Sequence, residues 1–445
     1  MYGYLIYEAL KKNRKADKSF HVPGHKGRGR FLKMFAGAAF DITELSYSDN
    51  LACPEGVIQR AQTDIARILN AERSYILTDG STCGVLSMLY AAAKRGGKII
   101  VQRNCHQSVW NACALFGLEP LIAAGRVEEG VLLPPAPEEI EKILRSEGDI
   151  AGAVVTSPDY YGNVAPLAEY AEILRRFGKL LLVDGAHGAH FACNILRHKH
   201  AAAYADMWVD GAHKSLATLT QGAVVSVNNG TLIADLEEAL AVFRTSSPSY
   251  PIMASVEYGV KFAENYPQAA EAAKAAVEKF RNGATGIKFC PSDDWTKLAA
   301  DFGAAGINAA EAERFLEKSG IYPEFSDGRY VLFYLSYETS RKDLKKLGKA
   351  FKIAMHTLGR GNAVAERVFP EIRRSVSYLN AVKSEREYVP LDCSEGRICA
   401  RNAGFTPPCI PVICAGEVIN RQAINALNGG GVYGLNDGKI AVVKI

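Results

Sequence analysis

The fold is decided by two stretches, Lys179-Leu-Leu-Leu-Val-Asp-Gly-Ala-His-Gly-Ala-His190 and Trp208-Val-Asp-Gly-Ala-His-Lys-Ser215. The first begins with a short apolar run that ends in a carboxylate, Asp184, and then in glycine. The second contains an apolar run that ends at Asp210, and it reaches Lys214. Buried parallel strands are short and apolar, and their carboxyl ends meet at one edge of the sheet. The two stretches therefore predict that one strand end holds a carboxylate and the next a lysine.

This pair of side chains suggests a particular chemistry. A lysine amine forms a Schiff base with an aldehyde, and a carboxylate keeps a pyridine nitrogen protonated. Pyridoxal phosphate needs both, so Lys214 is predicted as the Schiff-base lysine and Asp184 as the partner of the pyridine nitrogen. Either residue alone is more often an ordinary surface or capping residue. The prediction therefore depends on the rest of the pattern.

Composition limits the classes of protein to consider. At 445 residues the chain is too long for one ordinary domain, and its formal net charge is only +4. It has no dense basic patch interleaved with aromatic residues, so no nucleic-acid partner is expected. The ten cysteines include no CxxC pair, which fits a reducing compartment. No run approaches the roughly 18 apolar residues of a membrane span. We expect a cytoplasmic protein without a membrane partner.

Strand-like and helix-like runs alternate over the first two thirds of the chain, which predicts a doubly wound, mostly parallel sheet. Strands are expected at 74–78, 98–102, 150–156, 180–184, 207–210 and 222–227. An alanine-rich helix is expected to end near Arg281, before a boundary rich in glycine. The later runs predict a smaller α+β domain. The predicted organisation is an N-terminal arm at 1–49, a large domain at 50–282 and a C-terminal domain at 283–445.

Two polar clusters follow predicted strands. Gly80, Ser81 and Thr82 open a helix, where backbone N–H groups and hydroxyls suit a phosphate, although an ordinary helix cap is the alternative. His106 follows the next strand, where its ring can stack on a flat cofactor, although a lone histidine is more often a satisfied loop residue. Because ligands of such sheets bind at the carboxyl ends of the strands, the clusters predict a single site.

Further histidines surround the lysine and the aspartate. His187 lies three residues after Asp184 and can orient a cofactor. His213 precedes Lys214 and can reach a phosphate or carry a proton. Metal binding by the histidines at 187, 190, 198 and 200 is only weakly suggested, because no carboxylate–histidine spacing of known type accompanies them. We therefore expect no metal.

The polar motifs also carry a family resemblance, in an order and spacing that span residues 20–252. The matching stretches are His21-Val-Pro-Gly-His-Lys-Gly27, Gly80-Ser-Thr-Cys-Gly84, Arg103-Asn-Cys-His-Gln-Ser108, Val183-Asp-Gly-Ala-His-Gly-Ala-His190, Ala212-His-Lys-Ser-Leu216, Leu219-Thr-Gln-Gly-Ala223 and Ser247-Pro-Ser-Tyr-Pro251. With them the chain resembles the ornithine/lysine/arginine decarboxylases in their shorter bacterial form. The resemblance implies the PLP-dependent transferase-like fold (aspartate aminotransferase fold type I), with a mostly parallel seven-stranded sheet in the large domain and a smaller α+β C-terminal domain.

The resemblance also implies roles for individual residues. Catalysis would involve the Schiff-base lysine and two histidines, namely Lys214, His213 and His106, with His106 as the ring that stacks on pyridoxal 5'-phosphate. The resemblance further implies Asp184 as the partner of the pyridine nitrogen and Ser81, Thr82 and His213 around the phosphate. His187 and Gly80, inferred from their positions, complete the predicted cofactor contacts. Ser246 or Ser247 would reach the phosphate of a neighbouring subunit. The expected protein is therefore at least a homodimer with its active site at the subunit interface.

The chain departs from the family pattern in two places. The family often has serine as a phosphate ligand three residues before the lysine, and this chain has Gly211. Near the C-terminus the family tends toward Tyr-Pro-Pro-Gly-Ile-Pro and Pro-Gly-Glu, and this chain has Thr406-Pro-Pro-Cys-Ile-Pro411 and Ala415-Gly-Glu417. Because Cys409 replaces a glycine, it can disturb a turn that requires positive φ.

The predicted reaction is α-decarboxylation of a basic amino acid (arginine, lysine or ornithine) to CO₂ and the amine, a step of the polyamine-biosynthesis type. Glu324 and Glu417 are candidates to hold the distal amine or guanidinium of the substrate. One alternative is an aminotransferase, in which an arginine such as Arg401 would anchor the α-carboxylate. Another is a non-catalytic paralogue that binds pyridoxal phosphate, which Gly211 and the altered C-terminal run suggest.

Overall fold

The computed structural model describes residues 1–13, 20–192, 194–359, 367, 369–406, 409–429 and 431–444. Within these ranges, no helix combines the length and the apolar composition needed to cross a membrane. The α-helices are Leu5–Asn13 (α1), Gly29–Met34 (α2), Val57–Leu69 (α3), Gly80–Ala93 (α4), Gln107–Phe116 (α5), Pro137–Ser146 (α6), Leu167–Arg176 (α7), Ala212–Ser215 (α8), Ile233–Phe243 (α9), Tyr250–Asn265 (α10), Pro267–Gly283 (α11), Ala309–Lys318 (α12), Arg341–Thr357 (α13), Tyr378–Lys383 (α14) and Arg421–Leu427 (α15).

The strands are mostly short. They are Arg73–Leu77 (β1), Lys98–Gln102 (β2), Glu119–Ala123 (β3), Arg126–Glu128 (β4), Val131–Leu133 (β5), Ile150–Thr156 (β6), Leu180–Gly185 (β7), Met207–Asp210 (β8), Ala223–Val227 (β9), Lys288–Phe289 (β10), Lys297–Asp301 (β11), Phe325–Ser326 (β12), Tyr330–Tyr334 (β13), Arg386–Pro390 (β14), Ala403–Phe405 (β15), Ile410–Ile413 (β16), Val432–Tyr433 (β17), Leu435–Asn436 (β18) and Lys439–Val443 (β19).

A seven-stranded sheet has the strand order β1-β9-β8-β7-β6-β2-β3. The pairs β7–β8, β2–β6 and β2–β3 are parallel, whereas β9 runs antiparallel to both β1 and β8. The predicted mostly parallel sheet is therefore confirmed. Strand β6 is buried along its whole length, as its continuous apolar sequence indicates for a strand covered on both faces.

Two features differ from the sequence-based expectation. Strand β3 was not predicted because Pro120 interrupts its apolar run, yet β3 lies at the edge of the sheet, where a proline costs no ladder hydrogen bond. The single helix expected to end near Arg281 is two helices, α10 and α11, and the break falls at Tyr266 before Pro267. The residue before a proline disfavours the helical conformation, which explains the break.

The chain divides into two compact units, and the first comprises Met1–Ala91, Leu181–Ala273 and Ser336–Glu338. In it, α1 packs against α3 and α10 and buries Ile6 and Leu10. The buried carboxylate of Glu257 on α10 accepts hydrogen bonds from the N–H groups of Leu5 and Ile6, each at 2.7 Å. These two donors have no partner inside α1, so Glu257 caps the helix from another part of the chain.

The second unit comprises Ala92–Leu180, Lys274–Leu335 and Thr339–Ile445. One of its sheets has the order β10-β11-β13-β12 and is antiparallel throughout. Phe351 of α13 packs against Phe302 and Phe333, with ring centroids 5.7 and 5.6 Å away. A separate apolar core gathers residues from β15, β16, α15 and β19. The mixture of small antiparallel sheets and helices agrees with the predicted α+β character of the C-terminal part.

Candidate active site

The carboxyl ends of β7 and β8 lie side by side, because the two strands are parallel and Gly185 pairs with Asp210. The loop after β7 carries His187, and the short helix α8 starts directly after β8 and carries Lys214. The Nζ atom of Lys214 lies 3.1 Å from Nε2 of His187. Lys214 is half-buried and His187 is buried. The two sequence stretches therefore converge at this strand edge, with the lysine amine held by a histidine.

Asp184 is the second to last residue of β7 and is almost fully buried. Its Oδ1 atom accepts a hydrogen bond of 3.1 Å from the N–H of Ala186, and no other hydrogen bond within the described chain reaches the carboxylate. Each carboxylate oxygen can accept two hydrogen bonds. Asp184 therefore has acceptor capacity left for a protonated group of a ligand.

His213 forms a well-defined contact beside the lysine. Its Nδ1 atom lies 3.0 Å from the carbonyl oxygen of Gly222, so Nδ1 carries the proton that this bond needs. Burial lowers the pKa of His213, and the neighbouring charge of Lys214 lowers it further. The ring is therefore neutral near pH 7, and Nε2 is the nitrogen that can exchange a proton.

The predicted phosphate cluster opens helix α4. Gly80 has φ of +74°, and a side chain at this position would meet open space. Its N–H donates to the carbonyl oxygen of Gln221 at 2.9 Å, so Gly80 shapes the turn and offers no donor to a ligand. Ser81 is half-buried and Thr82 is exposed. The donors that remain for an anion are their hydroxyls and the N–H groups of the first helical turn.

Gly211 sits where chain segments approach closely. A Cβ atom at this position would lie 2.4 Å from the carbonyl oxygen of Ala186, in the loop that follows Asp184. A serine would therefore require movement of that backbone. Where the family often has a serine that binds phosphate, Gly211 instead allows the start of α8 to pack closely against the loop after β7.

A second carboxylate at this edge forms a network that the sequence analysis missed. Asp210 accepts a hydrogen bond of 2.9 Å from Nε1 of Trp208, and its other oxygen lies 3.1 Å from Nε2 of His200. All three side chains are buried. Residues two apart on a strand point to the same face, so the spacing of Trp208 and Asp210 was a usable signal for half of this network.

Two further predicted groups lie on other segments of the chain. Ser246 and Ser247 lie between α9 and α10 and are exposed; within the described chain, neither hydrogen-bonds to Lys214, His213 or the first turn of α4. His106 belongs to the second unit, where it caps α5: its Nδ1 atom accepts the N–H of Ser108 at 3.2 Å.

The second unit also contains the C-terminal candidates. Glu417 is buried and forms a two-point ion pair with Arg103, at 2.5 and 3.5 Å, and accepts the N–H of Cys414 at 2.7 Å. Its charge is therefore already met, whereas Glu324 and Arg401 are exposed. In the altered C-terminal run, 407–408 lie outside the described residues. Cys409 has φ of +64°, so the turn indeed uses the conformation that favours glycine.

Comparison with known proteins connects this geometry to a family. The model of the Orn/Lys/Arg decarboxylase major domain matches residues 5–284, and that of the C-terminal domain of the same family matches residues 362–428. The chain belongs to the Orn/Lys/Arg decarboxylase family. The predicted family is thereby confirmed, and with it the prediction of an amino-acid decarboxylase at the level of the family.

Relatives in this family match over nearly the whole chain. The uncharacterized protein YaaO of Bacillus subtilis is 29% identical, and the match covers 95% of this chain and 93% of that protein. An arginine decarboxylase of the same organism is 27% identical over 94% of this chain and 92% of its own length. Lysine decarboxylase LdcA of Pseudomonas aeruginosa is 24% identical over 90% and 72%.

Solved structures confirm the fold of the family. The Francisella novicida lysine decarboxylase LdcF matches with a TM-score of 0.82, at 20% identity, over 99% of this chain and 81% of that chain. A structure of SPT with PLP matches with a TM-score of 0.59, at 15% identity, over 79% and 83%. The predicted fold type I, with a mostly parallel central sheet and a smaller C-terminal domain, is therefore correct.

Proposed function

We propose that this protein decarboxylates a basic amino acid with pyridoxal phosphate as its cofactor. The observation that carries the proposal is the convergence of Lys214, His187 and Asp184 at the ends of two parallel strands, with the lysine amine 3.1 Å from the imidazole. The name of the family and those of the arginine and lysine decarboxylases among the relatives support the substrate class.

The residues at this strand edge fit the proposed cofactor. They supply an amine for the aldehyde, a buried carboxylate with acceptor capacity left, and a helix N-terminus with two hydroxyls for the phosphate. Open space beside Gly80 leaves room for a bulky group. When bound, pyridoxal phosphate supplies the electron sink that accepts the electrons left on Cα as CO₂ departs.

The chain's own residues then have distinct tasks. Asp184 holds a proton on the pyridine nitrogen by charge and by hydrogen bonding, since an adjacent anion raises the pKa of a base. His187 fixes the position of the Lys214 amine and can exchange a proton with it. His213, neutral near pH 7, is the second group that can deliver a proton to Cα, through Nε2. His106 would stack on the ring of the cofactor.

Assembly and location complete the proposal. Ser246 and Ser247 are exposed, as residues that reach a partner's phosphate must be, and we propose a homodimer with its site at the subunit interface. We further propose a cytoplasmic protein with an arm at 1–49, a cofactor-binding domain at 50–282 and a C-terminal domain at 283–445. The substrate is a small basic amino acid, with arginine, lysine and ornithine as the three candidates.

One experiment tests cofactor and reaction together. The absorption spectrum of the purified protein is recorded with and without pyridoxal phosphate, and arginine, lysine and ornithine are then added separately while CO₂ is trapped. We expect a new band from covalently held cofactor and CO₂ from at least one substrate. Lys214→Ala should lose the band. Lys214→Arg is the matched control. It keeps a long basic side chain but cannot hold the aldehyde covalently, so it should lose the band as well.

A second candidate function follows from Gly211, whose packing against Ala186 leaves no room for the serine of related sites. A paralogue that binds the cofactor without turning over substrate would show the band but release no CO₂ from any of the three amino acids. Keto acid instead of CO₂ would indicate an aminotransferase. Absence of the band in the wild-type protein would refute the assignment of Lys214 and Asp184.

A further inference from the structure

The first unit contains an open cavity of about 870 Å³ that does not include Lys214, Asp184 or the first turn of α4. Its walls come from α3, from β1, from the end of α9 and from the segment 51–54. Its charged lining residues are Arg67, Glu72, Arg73, Glu237 and Arg244, and Tyr75 adds a hydroxyl. This volume lies in the range of sites that hold small metabolites.

Two of the three arginines in the cavity wall have carboxylate partners. The Nη1 atom of Arg73 donates to Oε1 of Glu237 at 2.9 Å, and the hydroxyl of Tyr75 donates to the same oxygen at 2.7 Å. Arg67 is largely exposed and lies 4.0 Å from Asp64, one turn earlier in α3. The charges of these two arginines are therefore balanced within the protein.

Arg244 is different, because it forms no ion pair with any carboxylate of the described chain. Its Nε atom donates to the carbonyl oxygen of Leu240 at 3.4 Å, and no other hydrogen bond in the described residues uses its guanidinium. The side chain is half-buried, and burial lowers its pKa. A guanidinium stays charged near pH 7 even so. The cavity thus holds a partly desolvated cation whose terminal nitrogens remain available.

We propose that this cavity is a second ligand site, in which Arg244 binds the oxyanion group, phosphate or carboxylate, of a small metabolite. A guanidinium offers two parallel N–H donors that match the oxygens of such a group. Gln59 and Thr63 of α3 add polar surface, while Leu51, Pro54 and Ala241 supply apolar contact for the body of the ligand. The site does not depend on the proposed reaction.

The test measures thermal unfolding of the full chain saturated with pyridoxal phosphate, so that added anion cannot occupy the cofactor site. Inorganic phosphate and succinate are titrated separately at constant ionic strength. We expect at least one of them to raise the Tm in a saturable way. In Arg244→Gln the half-saturating concentration should rise about tenfold or more, as loss of a charge-assisted hydrogen bond predicts. The more effective probe identifies the source of the oxyanion.

Two variants keep the test decisive. Arg67→Gln removes a charge from the same cavity wall but leaves Arg244, so it should respond as the wild type does. Arg244→Lys keeps the charge without the paired donors and should fall between wild type and Arg244→Gln. Without added anion, Arg244→Gln should be at least as stable as the wild type, because burial disfavours the cation more than the attraction of Asp79 and Glu237 favours it. Unsaturable behaviour of the wild type, or equal stabilisation of Arg244→Gln, would overturn the proposal.

Discussion

Two carboxylates end neighbouring strands of one sheet, and their surroundings differ. Asp210 at the end of β8 accepts Nε1–H of Trp208 at 2.9 Å and pairs with Nε2 of His200 at 3.1 Å. Asp184 at the end of β7 is equally buried, yet the described chain gives it only the N–H of Ala186, at 3.1 Å. Sequence position alone does not separate the two residues. What separates them is whether the protein itself uses the acceptor capacity.

The difference has an energetic meaning. A buried carboxylate is costly unless it is hydrogen-bonded or paired, so proteins normally satisfy both oxygens. The network around Asp210 does this and fixes the start of α8, which carries Lys214. The donors around Asp184 are too few to satisfy its carboxylate, which gains further stabilisation only when a ligand donates to it. A buried carboxylate that remains incompletely satisfied is therefore the better indicator of a ligand site.

Asp184→Asn tests the ligand side of this comparison and should have the largest effect. The amide keeps the shape but loses the charge that holds the proton on the pyridine nitrogen. Since a neighbouring charge shifts a pKa by 1–3 units, we expect kcat to fall roughly 10- to 10³-fold. The Tm of the protein without cofactor should change little. An activity loss that merely follows a loss of folded protein, measured by circular dichroism on the same samples, would contradict this role.

A third strand-end carboxylate, Asp159 after β6, extends the comparison to a buried acid without a cation. Burial raises its pKa from 3.8 to about 6, although the N–H groups of Tyr161 and Asn163 donate to it at 2.8 and 3.0 Å. Between those pH values the folded protein keeps a proton that the unfolded chain has lost. The contribution of Asp159 to stability is therefore present below about pH 4 and is lost as the pH rises through 6.

Asp159→Asn should remove this pH dependence. One pKa unit corresponds to about 1.36 kcal/mol. The difference in free energy of unfolding between the variant and the wild type should therefore shift by about 2–3 kcal/mol in favour of the variant between pH 4 and pH 7. The amide of Asn163 must turn to accept from the new NH₂ group. Urea titrations at several pH values measure the difference, with Glu172→Gln, an exposed carboxylate on α7, as control. A difference that is constant with pH would argue against the raised pKa.

Asp210→Asn tests the structural side of the comparison. The NH₂ group of the amide would face either Trp208 or His200, and one buried donor would lose its acceptor. We expect the free energy of unfolding to fall by about 1–2 kcal/mol. Activity should fall less than in Asp184→Asn, because Asp210 acts on Lys214 only through the backbone. Denaturant unfolding and kcat are measured for both variants side by side. If Asp210→Asn lowered kcat more than Asp184→Asn does, the structural role of Asp210 and the ligand-binding role of Asp184 would have to be exchanged.

The sequence predicted the parts of this site that depend on local pattern. Short apolar runs ending in Asp184 and Asp210 fixed the strands and their edge, because parallel strands buried on both faces have little other choice of sequence. Strand β3 was missed because edge strands tolerate proline and carry weaker apolar signals. Local pattern thus predicts elements well where both faces of a strand are buried, and less well at the edge of the sheet.

Contacts between distant segments lay beyond local pattern. Nothing in the sequence near Glu417 announces its ion pair with Arg103, which lies 314 residues away. His200 likewise reaches Asp210 from a separate loop. The same limit applies to Gly211, where the sequence indicated a lost phosphate ligand but could not show that Ala186 occupies the space. Contacts of this kind are set by tertiary packing. Packing pairs or encloses some candidate residues, which can then bind no ligand, and leaves others able to bind one.

Gly211→Ser should have the smallest effect of these variants. Gly211 follows the end of β8 and packs against the loop after β7, so it lies between the two strand ends that are compared. The family resemblance suggests that serine would add a phosphate ligand and tighten cofactor binding. The packing predicts the opposite, because a Cβ atom would lie 2.4 Å from the carbonyl oxygen of Ala186. We expect a loss of about 1 kcal/mol in stability from overpacking, and no gain in affinity for pyridoxal phosphate. Gly211→Ala, which adds the Cβ without the hydroxyl, is the matched control. If serine alone tightened binding in a spectroscopic titration, the loop after β7 would have to yield readily, and the close packing would not be what keeps glycine at this position.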